Sequence, residues 1–225
     1  MANRLLPPDV GLLFEDNHLL ALSKPAGLLT QPSGTARPSL EAVARAYVRE
    51  TKGKTGKVFL HAVHRLDREA SGVVLFARTS KALARMAEEI RARRVRKTYR
   101  AIVEGKPPRA SDTLYGYIRH RSHRAETAER EEAGAKKAVL AYREVGSAGG
   151  LHLLEIDLGT GRYHQIRAQL AREGMPILGD RRYGSRAAFP GDGIALHHAA
   201  MEFRHPVSRE TIRIEAPPPP AWPLA

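Results

Sequence analysis

A chain of 225 residues with 42% hydrophobic and 27% charged side chains is ordinary globular material, enough for one large domain or two small ones, and excludes wholesale disorder. Lysine and arginine number 37 against 24 aspartates and glutamates, so the net charge of +13 asks for a polyanionic partner; nucleic acid is favoured over a membrane surface because no signal peptide, lipidation motif or long apolar run accompanies the charge. The absence of cysteine excludes disulfides, thiolate nucleophiles and cysteine-ligated zinc and fits a reducing, cytoplasmic setting.

Residues 1–9 are polar and proline-containing and read as a flexible arm. Val10 to Phe14 and Leu19 to Leu22 form two short strands around a turn at Asp16-Asn17, and Lys24-Pro25-Ala26-Gly27 has turn chemistry. Ser39 is an N-cap for a helix through about Glu50, with Leu40, Val43 and Tyr47 at helical spacing. A basic loop at 51–57 leads to Val58 to Val63 and then to Val73-Val74-Leu75-Phe76-Ala77, an apolar run that reads as a buried strand. Thr79 or Ser80 caps a second helix with Leu83, Met86, Ala87 and Ile90 as its buried stripe. Its other face and its end carry Arg85, Arg91, Arg93, Arg94, Arg96 and Lys97, either a solvated face or a phosphate-facing patch.

Lys97 to Gly105 alternates as a strand, and Asp112 to Arg119 is another. The stretch 120–137 has no apolar residue larger than alanine and is expected to be an exposed, mobile loop. Strands follow at Val139 to Val145 and Leu154 to Leu158, then a glycine loop, a helix to about Glu173 with Gly174 as its stop, and a last strand from Thr211 to Glu215. Residues 217–220 are four prolines that begin an extended tail over 217–225. The histidines lack metal-ligand spacing, the adjacent rings of His197 and His198 diverge on a strand, and no glycine-rich phosphate loop occurs, so no metal and no nucleotide cofactor is expected.

The segment His64-Arg65-Leu66-Asp67-Arg68-Glu69-Ala70-Ser71-Gly72 sets one acid among basic residues just before the buried strand, and Gly72 supplies backbone freedom where loop meets strand. Nearby positive charge keeps a carboxylate ionised, which suits a nucleophile or a general base. From residue chemistry alone, Asp67 is equally a loop carboxylate that pairs with an arginine or caps a turn.

This segment resembles the nucleophile motif of the RluA-type pseudouridine synthases, His-Arg-Leu-Asp-x-x-(Thr/Ser)-Ser-Gly, with Ala70 where the family usually has threonine. Residues 14–27 resemble the opening of that family's catalytic domain. Lys97-Thr98-Tyr99-Arg100-Ala101-Ile102-Val103-Glu104-Gly105 resembles its second motif. Thr160-Gly161-Arg162-Tyr163-His164-Gln165-Ile166-Arg167 resembles its third, with Tyr163 in place of the common threonine or serine. The segments 176–184, 196–199 and 203–206 continue the pattern, so the resemblance covers about Gly11 to Ala216.

The resemblance implies an α+β catalytic domain over residues 10–216: a mixed, largely antiparallel central sheet flanked by helices, with a cleft across its middle and without the small N-terminal RNA-binding domain of many members. It implies an enzyme that isomerises uridine in ribosomal or transfer RNA stem-loops, acting as a monomer without cofactor. Asp67 becomes the catalytic carboxylate, Tyr99 the residue against the target base and Arg167 the partner that orients Asp67. Arg65, Arg68, Lys97, Arg162, His164 and Gln165 are expected to bind RNA, Arg65 by filling the place of the extruded base. A catalytically inactive RNA-binding module or RNA chaperone, and an RNA or nucleoside glycosidase that releases uracil, are the alternatives from other classes.

Overall fold

The computed structural model describes residues 5–53, 55–122, 124–220 and 222–224; expectations for residues 1–4, 54, 123, 221 and 225 lie outside these. In chain order the elements are β1 (Gly11–Glu15), β2 (Leu19–Lys24), α1 (Leu40–Thr51), β3 (His61–Ala62), β4 (Ser71–Ala77), α2 (Ser80–Arg91), β5 (Arg96–Glu104), β6 (Ser111–Arg121), β7 (Arg124–Ala128), β8 (Ala135–Ala148), β9 (Leu151–Leu158), α3 (Gln165–Arg172), a single 3-10 turn (Arg181–Tyr183), β10 (Leu196–Arg204) and β11 (Thr211–Glu215). This is the α+β class that the resemblance implies, with largely antiparallel strands. Among the described residues no helix is long and apolar enough to cross a membrane. The chain divides into two compact units. The first holds the described residues up to Val95 together with His198–Pro217, and the second holds Arg96–His197 and the described residues from Pro218 on.

In the first unit β1 and β2 form a hairpin whose turn is locked by Asp16, because its Oδ1 accepts the N–H groups of His18 (2.8 Å) and Leu19 (2.6 Å). β2 pairs antiparallel with β4, which also takes the two-residue β3 on its edge, while β10 pairs with β11. Every residue of β4 is buried, as a continuous apolar run requires of a central strand. Leu19, Ala21, Val73, Leu75 and Ala77 point to one face and join Ala82 and Met86 of α2, Met201, Phe203 and Ile214 in the unit's core. Both helices start where the capping residues lie: Ser39 Oγ accepts Ala42 N–H at 3.3 Å and Thr79 Oγ1 accepts Ala82 N–H at 3.1 Å. The stripe of α2 differs in detail from the expected one. Ala82 and Met86 are buried and Leu83 and Ile90 half-buried, whereas Ala87 faces solvent, since its small side chain does not hold that position against the core.

In the second unit the strands run β5-β9-β8-β6-β7, each neighbouring pair antiparallel. The expected mobile loop at 120–137 is instead largely strand. β6 continues to Arg121, β7 covers Arg124–Ala128 and β8 begins at Ala135, leaving Ser122 and 129–134 between strands among the described residues. Alternation explains it: Ile118, Ala125 and Ala138 turn inward against Ala168 and Tyr183, so alanine suffices where the space is narrow. On the other face Arg119 and Glu126 stand opposite each other in register and pair at 2.9 Å. A cross-strand pair of this kind contributes only about 0.2–1 kcal/mol, so the ladder and the small inward residues carry the hairpin.

Candidate active site

The first unit carries Asp67. The residues on either side of it are held by buried groups. Thr30 Oγ1 donates to the Leu66 carbonyl and accepts the Leu66 N–H, both at 3.0 Å. The Lys24 ammonium donates to the carbonyls of Pro25 (2.9 Å), Leu28 (2.8 Å) and Arg68 (3.1 Å), and Gly27 N–H reaches the same Arg68 carbonyl at 2.8 Å. Burial pushes Lys24 down to about 7, opposed by the negative charge of Asp67 and then of Glu69. The peptides before and after Asp67 are therefore fixed, while its own side chain is half-exposed. Arg65 is exposed; Arg68 is half-buried with its Nε 3.5 Å from Glu69 Oε1.

The loop meets β4 at Gly72, whose φ of +112° favours glycine; a Cβ there would collide with the backbone oxygen of His198 and lie 2.6 Å from its nitrogen. His64 Nε2 accepts the N–H of Leu75 (3.3 Å), and its ring meets His198 edge-on at 5.2 Å. His198 Nδ1 bonds to the Val73 carbonyl at 2.7 Å. The adjacent His197 lies against Trp222 in the second unit, so the two rings diverge as a strand requires.

The second unit carries the other candidates. Tyr99 lies on β5 opposite Ile156 and is only 6% exposed. Lys97, half-buried on the same strand, reaches toward the glycine loop: a Cβ on Gly161 would lie 3.6 Å from its Nζ. Burial lowers its pKa. The loop is fastened to β8 at Val139, whose N–H goes to Thr160 Oγ1 (2.8 Å) and whose carbonyl receives Gln165 Nε2 (3.1 Å). Gln165 Oε1 accepts from Thr160 Oγ1 (2.8 Å) and from Arg162 N–H (3.0 Å). Arg162 is half-buried and its Nε donates to the Lys137 carbonyl at 3.0 Å.

His164 and Gln165, expected to face RNA, are buried and engaged inside this unit. Gln165 ties the loop to β8 and α3. His164 precedes α3 in a left-handed conformation (φ 49°), with Nδ1 3.0 Å from Tyr183 Oη and Nε2 3.1 Å from Arg167 Nη1. The pattern Arg-x-His-Gln was legible, but which of its side chains would satisfy the loop's own polar groups was not.

Arg167 is almost fully buried and forms a two-pronged pair with Asp180: Nε to Oδ2 at 2.6 Å and Nη2 to Oδ1 at 2.9 Å. The Tyr183 ring covers the guanidinium at 5.2 Å. Asp180 and Tyr183 belong to the segment 176–184, which continues the family pattern, and Lys24 to a segment with turn chemistry; neither pattern assigns these residues a role. A lysine between an apolar strand and a proline, and an aspartate after Gly179 in a basic stretch, are the signals that could have found Lys24 and Asp180. The pairing of Arg167 with Asp67 implied by the resemblance joins residues of different units and belongs to the proposed mechanism.

A family model described as RNA pseudouridylate synthase matches residues 18–172. The chain is 37% identical over 214 residues to an uncharacterized RNA pseudouridine synthase of Bacillus subtilis, YhcT, covering 94% of this chain and 69% of that protein. It is 35% identical over 240 residues to ribosomal large subunit pseudouridine synthase D of Xanthomonas campestris, covering 95% and 68%. Among solved structures it is similar to human RNA pseudouridylate synthase domain containing 4, with a TM-score of 0.77 at 24% identity over 93% of this chain and 89% of that one, a likeness of fold.

Proposed function

Since this chain belongs to the RNA pseudouridylate synthase family, and so to the enzymes that isomerise uridine in RNA, we propose that Asp67 is its catalytic carboxylate and that a stem-loop of ribosomal or transfer RNA in the cytoplasm is its substrate. The observation that carries this reading is the clamp around Asp67. Thr30 fixes the Leu66 peptide, and Lys24 with Gly27 fixes the Arg68 carbonyl, so a half-exposed carboxylate is presented from an immobile backbone. A group that must meet one sugar carbon needs that rigidity. The names of ribosomal large subunit relatives support ribosomal RNA as the class to test first.

The reaction breaks the bond from N1 of uracil to C1′, turns the base, and forms a bond from C5 to C1′; the C5 hydrogen leaves as a proton and N1 gains one, so the RNA keeps its mass. The target is extruded first, at a cost of about a few kcal/mol. Arg65, exposed beside Asp67, fills the vacated stack with its planar guanidinium. Asp67 then attacks the sugar or removes a sugar proton to give a glycal. Tyr99 offers a ring face to the base, and Arg167 orients the carboxylate. Arg68, Lys97 and Arg162 contribute positive charge for the phosphates.

The test is tritium release from RNA labelled at uridine C5, with wild-type protein and Asp67→Asn. We expect release by the wild type and none by the variant, with RNA affinity kept within a few-fold because the phosphate contacts are spared. Release by Asp67→Asn, or affinity lost in step with rate, overturns the assignment. Product mass separates isomerisation from glycosidase action, because loss of uracil lightens the RNA.

A further inference from the structure

In the second unit a run of aromatic rings leads from the buried Arg167 network to the surface. Tyr183 meets His164 edge-on with centroids 5.7 Å apart, His164 stacks on Tyr163 at 3.8 Å and 19°, and Tyr163 meets His120 at 4.3 Å and 56°. The inner members are buried, Tyr163 is half-buried, and His120 near the end of β6 is exposed. Tyr163 is the residue at which this chain departs from the common threonine or serine of the third motif. A threonine could not bridge His164 and His120, so the stack is a consequence of this departure.

The rim of the stack is basic. The Arg124 guanidinium lies 5.1 Å over the Tyr183 ring, whereas Arg119 and Arg121, the neighbours of His120 on β6, turn to the other face of the sheet, where they pair with Glu126 at 2.9 and 3.9 Å. Arg162, next to Tyr163, reaches Lys137 on β8. Aromatic faces among cations suit one partner chemistry above others: an unpaired nucleobase on its sugar–phosphate strand, with the base on the rings and the phosphates on the arginines.

We propose that His120 and Tyr163 form a stacking platform for an unpaired RNA base flanking the target uridine. This rests on the reading of the protein as an RNA uridine isomerase and deepens it. The platform lies in the same motif as Arg167, to which His164 links it at 3.1 Å. His164 fixes the angle of Tyr163 from beneath, which makes the surface preformed rather than ordered on binding. His120, at the edge of a hairpin, supplies the exposed second face.

The test uses the full chain, tritium release from unmodified C5-labelled total RNA, and binding of a stem-loop RNA with 2-aminopurine beside a loop uridine. Variants are His120→Ala, Tyr163→Thr, Tyr163→Phe and Arg124→Ala. We expect His120→Ala and Tyr163→Thr to raise KM and Kd about five-fold or more, and to relieve the quenching of 2-aminopurine. The slope of log affinity against log salt stays as in the wild type, because no phosphate contact is lost; Arg124→Ala reduces that slope by about one. Tyr163→Phe keeps the ring and behaves as wild type. KM and Kd within two-fold of wild type in His120→Ala, an exposed position that leaves folding intact, overturn the platform. So does a fall in kcat alone in both variants. Wild-type protein that neither releases tritium nor binds RNA overturns the reading beneath it, whereas an active wild type with indifferent variants removes only the platform.

Discussion

Replacing Asp180 by asparagine tests the buried pair with Arg167 most directly. The two side chains are 1% and 2% exposed and share bonds of 2.6 and 2.9 Å. Asparagine keeps the shape and one acceptor oxygen but presents an NH2 group to a guanidinium that only donates, so one bond is lost and the charge of Arg167 loses its carboxylate at this position. Breaking a buried pair by removing one partner costs about 3–5 kcal/mol. Arg167 keeps its contact with His164 and asparagine one acceptor, so about 3 kcal/mol is the expectation. For a chain of this length that is a fall in Tm of about 6–12 °C. Urea unfolding followed by far-UV circular dichroism reads the change. The double variant Asp180→Leu with Arg167→Met removes both charges together and is expected to regain much of the loss, because apolar replacement of a whole buried pair is often nearly neutral. That protein folds and stays inactive if Arg167 serves the chemistry. Stability of Asp180→Asn within about 0.5 kcal/mol of wild type refutes the idea that the pair holds the helix and the segment after it together.

Lys24→Met orphans the carbonyls of Pro25 and Leu28, while that of Arg68 keeps Gly27 N–H; at about 1–3 kcal/mol per orphan the loss is about 2–6 kcal/mol, and a loss under about 1 in urea unfolding contradicts the clamp. Lys24 also gives a pH signature. Its folded pKa of about 7 lies below the ordinary 10.5, so between these values the unfolded chain binds more protons, and stability rises with pH across that window; below about 7 the penalty of charging the buried amine is complete. The difference in stability between wild type and Lys24→Met, measured from pH 6 to 10, therefore grows with pH in favour of the wild type, and a flat difference counts against it. Gly72→Ala places a Cβ against the His198 backbone at a φ of +112° and is expected to cost more than about 2 kcal/mol, read as a lowered urea midpoint; a neutral alanine shows that the strand and loop shift freely. RNA affinity falls with salt, with a slope in log–log form steeper than about −3 for a handful of phosphate contacts, and a flat response argues against the basic face as the RNA surface.

What could be read in the sequence followed from strong local signals. The fully apolar run of β4, the serine and threonine caps of α1 and α2 and the hairpin at Asp16 were legible because each rests on residues adjacent in the chain. The hairpin of β6 and β7 was not, because its inward positions are an isoleucine and alanines, and what makes them sufficient is the ring of Tyr183 arriving from 58 residues away to bond the Ala125 N–H. The same limit governs the site. The motif around Asp67 was recognisable, but the lysine that clamps it lies 44 residues before the carbonyl it holds. His164 and Gln165 read as surface residues because polarity in a motif does not say whether the partner is RNA or the protein's own backbone.

The basic charge itself divides in a way that composition could not foretell. Of the cations at the end of α2 and the start of β5, Arg94 forms a two-pronged bond with Glu89, Arg96 another with Asp157, and Arg85 bonds the carbonyl of Pro206. The Arg96–Asp157 pair is exposed and contributes on the order of a kcal/mol or less to stability, whereas the Glu89 carboxylate of the Arg94 pair is buried. A pair as weak as the exposed one does not hold its guanidinium against a competing anion, so Asp157 is an exchangeable partner for Arg96. The buried cations behave oppositely. Lys24 and Arg167 are surrounded by acceptors that cannot be exchanged without leaving buried polar groups unmet, so their positions are set before substrate arrives. Weakly paired charge on the surface can exchange its partner, and strongly held charge inside fixes the segment around it. The first kind tolerates substitution one residue at a time; the second does not.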